Sequence, residues 1–393
     1  MTMNKTVYFL GAGFSADAGG PIQNGIIVSI LSDEFAETYR FKNQVIDARN
    51  KFISFIQNDL QIPEDLWNKI PLEDIFTPID RSISNGRSFK KYDSKKLVTL
   101  REEFHYLMGA AIQFGVDDSS KDKQYVNDFA TYINSIAKER LNNIKNDKIA
   151  IITTNWDILL DNSLNDIAQT YCQVEKSTNS DKLAVVDYCC YISSLQNDPY
   201  IKPGLLALGK GGYNMKYLKL HGSMNWLHCP SCQRMFVKYG VKTMLNDPKF
   251  CKHCKSNYNL DREKSIELKS NLMLPTFLKD LSNIQIQLVW QNAGIELSEA
   301  SKVVFVGYSL PQADFEIRQL LSRCIPNHAE VEVVLFPGKD KSKTIKDFEY
   351  EINNYKTFFG SRIKGDESFI LKTVPDYVSS LGSNDIRQSS PHM

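Results

Sequence analysis

Five short runs with few polar residues constrain this chain more than any other feature. They are residues 7–10, 149–152, 217–220, 303–306 and 331–336, and each is followed by a stretch of helical character. A half-exposed strand alternates apolar and polar residues, whereas a strand covered on both faces reads as an almost continuous apolar run. The pattern therefore predicts an α/β fold, a Rossmann-like parallel sheet with helices on both faces. Just past the runs stand Gly11, Thr153, His221, Gly307 and Pro337. Open parallel sheets bind ligands beyond the carboxyl ends of their strands, so residues at these positions are the first candidates for a site.

The first two runs are separated by residues 31–147, rich in charged and helix-forming residues. Within them, 95–114 and 125–144 carry apolar residues at helical spacing. This interval reads as a helical insertion. Inside it, Pro71-Leu72-Glu73-Asp74-Ile75-Phe76 reads as a solvated acidic turn, with a place in a cleft as the weaker alternative. Residues 161–212 read as connecting structure around a cysteine lobe, and residues 339–359 as helical. Residues 368–374 suit an edge strand, and the polar tail from Ser379 reads as loose. The expected division is a Rossmann domain from 1–30, 148–228 and 259–338, the insertion 31–147, a small zinc-ribbon-like module 229–258 and a C-terminal extension 339–393.

Eight cysteines include two Cys-x-x-Cys pairs, Cys229/Cys232 and Cys251/Cys254, eighteen residues apart. Cys172, Cys189, Cys190 and Cys324 show no paired framework. Such spacing in a reducing compartment means metal more often than disulfide. Four thiolates satisfy tetrahedral zinc and leave no position for water, so the expected metal is structural. The chain has 47 basic and 46 acidic residues, net +1, and lacks the basic excess common among nucleic-acid binders. Its N-terminus lacks the apolar core of a secretory signal, and no run approaches the ~18 apolar residues of a membrane span. A cytoplasmic protein, with no membrane partner, is the expectation.

Four motifs fall at strand ends. Gly11-Ala12-Gly13-Phe14-Ser15 suits a turn where backbone amides and a helix starting near Ser15 meet a diphosphate, though an ordinary tight turn has the same look. Thr153-Thr154-Asn155-Trp156-Asp157 follows the second run. Asp157 taken alone reads as a helix cap, while Asn155 is as well placed for a ligand. His221, beside Gly222, sits where a proton acceptor could face a cleft, although a lone histidine is more often structural. Gly307-Tyr308-Ser309-Leu310-Pro311, with Asp314 beyond, passes for a strand-to-helix turn when taken by itself.

In order, these motifs and the cysteine pairs resemble the sirtuin layout. Gly11-Ala12-Gly13-x-Ser15 resembles its phosphate loop, and Thr153-x-Asn155-x-Asp157 its Thr-Gln-Asn-x-Asp element. His221-Gly222 resembles its His-Gly, the two cysteine pairs its zinc module, and Gly307-x-Ser309-Leu310 its Gly-Thr-Ser-Leu segment. Lys219-Leu220-His221-Gly222-Ser223-x-Asn225-Trp226 and Gly307-Tyr308-Ser309-Leu310-Pro311-x-x-Asp314 are closer to the bacterial sirtuin-like branch. The Asp-Phe-Arg that protein deacylases carry after the first loop is missing at Gly20-Pro21-Ile22-Gln23-Asn24, and Thr154 replaces the usual glutamine.

The resemblance implies an NAD-consuming hydrolase that cleaves the nicotinamide–ribose bond, used in anti-phage defence and controlled by a partner or by assembly. It implies catalytic roles for Asn155 and His221 with Asp157 in support. It implies cofactor contacts at Gly11, Ala12, Gly13, Ser15, Thr154, Gly307, Ser309 and Asp314. NAD would be the substrate and Zn2+ structural. A homo-oligomer and a HerA-type hexameric ATPase are the implied partners. The rival readings are a protein deacylase or ADP-ribosyltransferase, a non-catalytic NAD or ADP-ribose scaffold, and a nuclease-type subunit, for which the sequence shows no carboxylate cluster at metal-ligand spacing.

Overall fold

The computed structural model describes residues 4–196, 198, 200–240, 249–258, 265–337 and 343–388. Its strands are β1 (Thr6–Leu10), β2 (Ile149–Thr153), β3 (Ala184–Asp187), β4 (Ile192–Ser194), β5 (Tyr213–Lys219) and β6 (Gly222–His228). They continue with β7 (Met235–Val237), β8 (Lys269–Leu272), β9 (Lys302–Val306), β10 (Glu330–Leu335) and β11 (Phe369–Leu371). The helices are α1 (Gln23–Leu31), α2 (Asp33–Thr38), α3 (Asn43–Ser54), α4 (Leu72–Ser84), α5 (Ser94–Val116), α6 (Gln124–Ala137) and α7 (Leu159–Ser177). After them come α8 (Gly204–Gly209), α9 (Lys252–Tyr258), α10 (Ile284–Ser298), α11 (Phe315–Cys324), α12 (Glu349–Phe359) and α13 (Val374–Gln388).

Seven strands form one parallel sheet in the order β11-β10-β9-β1-β2-β5-β3. The five apolar runs supply its five middle strands. Val7, Phe9, Ile151, Ile152, Val303 and Phe305 are fully buried, as strands covered on both faces must be. Register is what builds the site. Leu10 pairs with Thr153 on one side and Val306 on the other, and Thr153 pairs with Lys219. Four strands therefore end in one row, and the ladder runs one step further through Gly11 N–H to Val306 O, Thr154 N–H to Leu10 O and Leu220 N–H to Thr153 O.

The interval 31–147 divides between two hydrophobic cores. Helices α1 to α5 share a core around Phe35, Phe52, Phe55, Phe76 and Phe104. Helix α6 instead sets Tyr125, Phe129, Ile133 and Ala137, four residues apart, against the parallel sheet. It serves as a crossover between β1 and β2. Residues 161–212 are more ordered than a connection around the cysteine lobe: they hold the long helix α7 and the edge strand β3. The tail from Ser379, expected to be loose, continues α13 as far as Gln388, and the helix is anchored by Val374, Tyr377 and Val378, buried in the sheet core beside α6. Residues 339–342 and 389–393 of the C-terminal extension, and part of the spacer between the cysteine pairs, lie outside the described residues.

A smaller sheet, β4-β7-β6-β8, grows from the large one. The chain leaves β5, turns at His221 and enters β6 through Gly222, whose φ of +72° and 1.8 Å approach of an added Cβ to Asn271 O exclude a side chain. His221 therefore sits at the corner between the two sheets. Among the described residues, no helix is long and apolar enough to cross a membrane.

Candidate functional site

At the common rim of the large sheet lies a cavity of about 420 Å3. Its walls bring together Ala12, Gly13, Thr154, Asn155, Asp157, His221, Gly307, Ser309 and Asp314, residues spread over 300 positions of the chain. Gly11 and Ser15 stand just behind that surface. The Gly11 amide is bonded to Val306 O, and the Ser15 hydroxyl accepts the Asn155 side-chain amide at 3.2 Å.

The glycine loop differs from the expected phosphate turn. No α-helix starts near Ser15; a 3-10 turn spans Ala12–Phe14 and α1 begins at Gln23. Several loop amides are bonded within the protein, Gly13 N–H to Gly307 O at 2.9 Å and Phe14 N–H to Gly11 O at 2.9 Å. The small size of this loop serves the packing of β1's exit against β9's exit. Gly307, with φ +65°, would place a Cβ 2.2 Å from Phe14 N, and a Cβ on Gly13 would lie 2.8 Å from Gly307 Cα. A helix start still reaches the cavity, but it is that of α1. Gln23 and Asn24 line the wall, and Ile22 at its N-cap offers no side-chain acceptor.

Asn155 is held on several sides. Its backbone N–H donates to Thr153 Oγ1 at 3.0 Å, and Thr153 in turn donates to Leu10 O at 3.1 Å. Its side-chain Nδ2 is bonded to Ser15, while Oδ1 is buried without a hydrogen-bond partner among the described residues. Buried polar atoms nearly always find partners, so an orphan at a cavity wall marks where a ligand's donor belongs. His221 Nε2 is a second such atom on the same cavity. Burial pushes the imidazole down to about 4, with Asp314 pulling the other way and Lys279 adding to the fall. The ring is therefore neutral at pH 7 and able to accept a proton.

Asp157 stands one residue before the cap position Ile158, accepts the N–H of Leu159 at the start of α7 at 3.1 Å, and lines the cavity. Burial raises its carboxyl above the usual range, against Lys219 and the Ser15 and Leu159 hydrogen bonds. Lys219 fixes this stretch from beneath: its ammonium donates to Asp157 O at 2.6 Å and to Asp161 Oδ2 at 2.7 Å, with both side chains fully buried. Asp314 is not free to meet a ribose unaided. Lys279 Nζ lies 2.7 Å from its Oδ1 and Tyr308 OH donates to Oδ2 at 3.0 Å. Burial opposes its ionisation, yet His221 and Lys279 hold its carboxyl below the usual range.

Three wall residues escape motif reasoning. Lys279 and Thr276 come from the segment after β8, which carries no glycine signature. Glu73 comes from the acidic run expected to be a solvated turn. It lies in the first turn of α4, is only 8% exposed, and accepts the Gln23 side-chain amide at 2.5 Å.

In the small module the four expected cysteines converge. Cys229 Sγ lies 3.7 Å from Cys254 Sγ, and Cys232 Sγ 3.7 Å from Cys251 Sγ. All four sulfurs lie within 4.8 Å of one another. A tetrahedral zinc roughly 2.3 Å from each sulfur sets the sulfurs roughly 3.8 Å apart, so the group fits the ion. The backbone N–H groups of Cys232 and Cys254 point at the sulfurs of Cys229 and Cys251, at 3.4 Å each, as thiolate acceptors require. Cys229, Cys251 and Cys254 are buried with Leu227, Phe236 and Leu268, so the metal would serve as the module's core.

A carboxylate cluster invisible in the sequence does exist, at Asp147, Glu296 and Glu299. Lys5 already lies among them, 3.1 Å from Asp147 and 2.7 Å from Glu299, so this is an ionic clasp near the start of β1 with Glu299 at its exposed edge.

No described protein family and no curated protein matches the sequence. Among solved structures, the chain is similar to a Sir2 homologue in complex with NAD, with 13% identity, 98% of this chain and 91% of that chain covered, and a TM-score of 0.40. It is similar also to a Sir2 homologue variant in complex with ADP-ribose, at 12% identity, 99% and 94% coverage and TM-score 0.42. A structure described as addressing the mechanism and regulation of Sir2 enzymes aligns at 14% identity, 98% and 94% coverage and TM-score 0.38. These structural neighbours are Sir2 homologues, but likenesses this weak do not assign the chain to a family.

Proposed function

We propose that this protein hydrolyses the nicotinamide–ribose bond of NAD, releasing nicotinamide and ADP-ribose. The observation that carries the reading is the meeting of Asn155 Oδ1 and His221 Nε2, an orphaned acceptor and an orphaned ring nitrogen, on one cavity at the rim of a parallel sheet, with the orphaned Trp156 Nε1 on the same wall. That bond breaks through an oxocarbenium-like state, so a site gains by fixing one water and excluding others. Asn155, its Nδ2 tied to Ser15, presents Oδ1 to a water or a ribose hydroxyl. His221, neutral at pH 7, accepts the proton as general base. Thr154, Gly307 and Ser309 face the remainder of the dinucleotide, Ala12 and the start of α1 receive its diphosphate, Gly13, its amide held by Gly307 O, leaves room for the diphosphate to approach, and Gly11 and Ser15 back the wall.

The fit to four thiolates supports a structural Zn2+ away from the chemistry. An anti-phage effector held in check by a homo-oligomer or by a HerA-type ATPase is the biological setting we propose, on the sequence resemblance alone. The test is incubation of the full chain with NAD, with and without that ATPase and with and without an acylated peptide, products being separated by chromatography. Free ADP-ribose and nicotinamide without peptide support hydrolysis. Product formed only with peptide, as deacylated peptide or ADP-ribosylated protein, replaces hydrolysis with group transfer. An intact NAD pool under every condition ends the enzyme reading.

A further inference from the structure

The charge inside the cavity does not suit a diphosphate throughout. Lys279 is the lysine on its wall, and it is already paired with Asp314 at 2.7 Å and Glu316 at 3.5 Å. Two further carboxylates, Asp157 and Glu73, line the same space. Asp157 accepts a backbone amide, as described. Glu73 is met by the neutral side-chain amide of Gln23, and among the described residues it forms no ion pair. A carboxylate in the first turn of a helix is commonplace on a surface, where water solvates it. Glu73 is 8% exposed and faces the cavity, so a cation that arrives with a ligand would find this carboxylate without another ionic partner. Ile26 and Ile112 line the same cavity and offer apolar surface, as does the ring face of Trp156, whose Nε1 is buried without a hydrogen-bond partner among the described residues.

This combination of apolar wall and unpaired buried carboxylate suits a flat organic cation. Oxidised NAD contains one, the pyridinium of its nicotinamide; NADH has lost that charge and ADP-ribose lacks the ring. We infer that Glu73, contributed by the helical unit and not by the sheet rim, is a specificity residue that recognises the pyridinium of oxidised NAD against this apolar wall. The inference rests on the NAD reading above and adds to it a residue and a preference for the oxidised form.

The full chain is titrated calorimetrically with three probes: carba-NAD+, which keeps the pyridinium but resists cleavage, NADH, and ADP-ribose. The unmodified chain should bind carba-NAD+ more tightly than NADH. Glu73→Gln keeps the shape and an acceptor for Gln23 but removes the charge. It should weaken carba-NAD+ about tenfold or more, the scale of one close charge pair in a protein site, and leave NADH and ADP-ribose nearly unchanged. Equal weakening of all three probes, or undiminished binding of carba-NAD+, overturns the inference. Should Glu73→Gln fail to fold, the unmodified chain decides, since equal affinity for carba-NAD+ and NADH overturns it. If ADP-ribose binds while that preference is missing, the NAD site survives and Glu73's role does not. If none of the three binds, both fall together.

Discussion

Asn155 and Ser15, 140 residues apart, are joined by a 3.2 Å hydrogen bond that leaves Asn155's oxygen as the unpaired end of the amide. The bond orients the amide as well as anchoring it, because with Nδ2 committed to the hydroxyl only Oδ1 can meet a ligand. Loss of the hydroxyl should therefore disturb chemistry more than folding.

Ser15→Ala is expected to lower kcat for nicotinamide release about ten- to a hundredfold, the usual cost of a slightly misplaced group. The stability loss should be about 1 kcal/mol, as for one hydrogen bond. Asn155→Ala and His221→Ala should abolish release with the fold intact. Nicotinamide assays paired with urea denaturation check this, and full turnover in both latter variants contradicts the mechanism.

The acid limb of kcat/KM should lie well below pH 6. An ordinary histidine gains its proton near pH 6.5, whereas burial takes His221 to about 4, so the base form persists through mildly acidic conditions. A rate profile from about pH 3.5 to 8 measures it, and a half-maximal point near 6.5 would count against His221 as the base.

Stability should follow the same sign. His105, packed in the helical core, is lowered to about 3 by burial and by Arg101. Unfolded chains take up protons from about pH 6.5 downward while the folded chain resists. His105 and His221 thus contribute stability that is present above about pH 6.5 and is lost as pH falls toward 4 and then 3. His105→Gln should flatten the fall in urea midpoint over that window.

One zinc per chain is expected on metal analysis. Cys251→Ser should lose most of it and lower the melting temperature, whereas His253→Ala should keep it, because the four sulfurs already complete the shell. Full zinc content in Cys251→Ser would show that a different ligand set holds the metal.

Breaking the buried pair beneath the site should be severe. Lys219→Met leaves Asp161 charged and fully buried, with Tyr188 OH as a neutral partner at 2.6 Å. A loss of about 3–5 kcal/mol is expected, with the double variant Lys219→Met/Asp161→Leu recovering much of it. Denaturant titration reads both, and equal losses would show that the pair is not the source.

Periodicity made the middle of the sheet legible. Residues such as Val7, Phe9, Ile151 and Val304 carry their burial in their own chemistry, and an apolar run needs no distant partner to announce a covered strand. The cysteine pairs were legible for a similar reason, since their spacing encodes a knuckle before any folding. His221 was placed correctly at a strand end, but its neutrality came from what surrounds it.

What only the tertiary structure decided lies between segments. The register that ends β9, β1, β2 and β5 in one row set Asn155 beside Ser15, and the glycines turned out to seat two loops on each other. Glu73 and Lys279 joined the cavity from elements without a motif, one misread as a solvated turn. Local sequence specifies which face of an element is apolar. It leaves unspecified which distant face will cover it, because that depends on the packing of the whole chain, and a charge becomes part of a site only once that cover has removed its water.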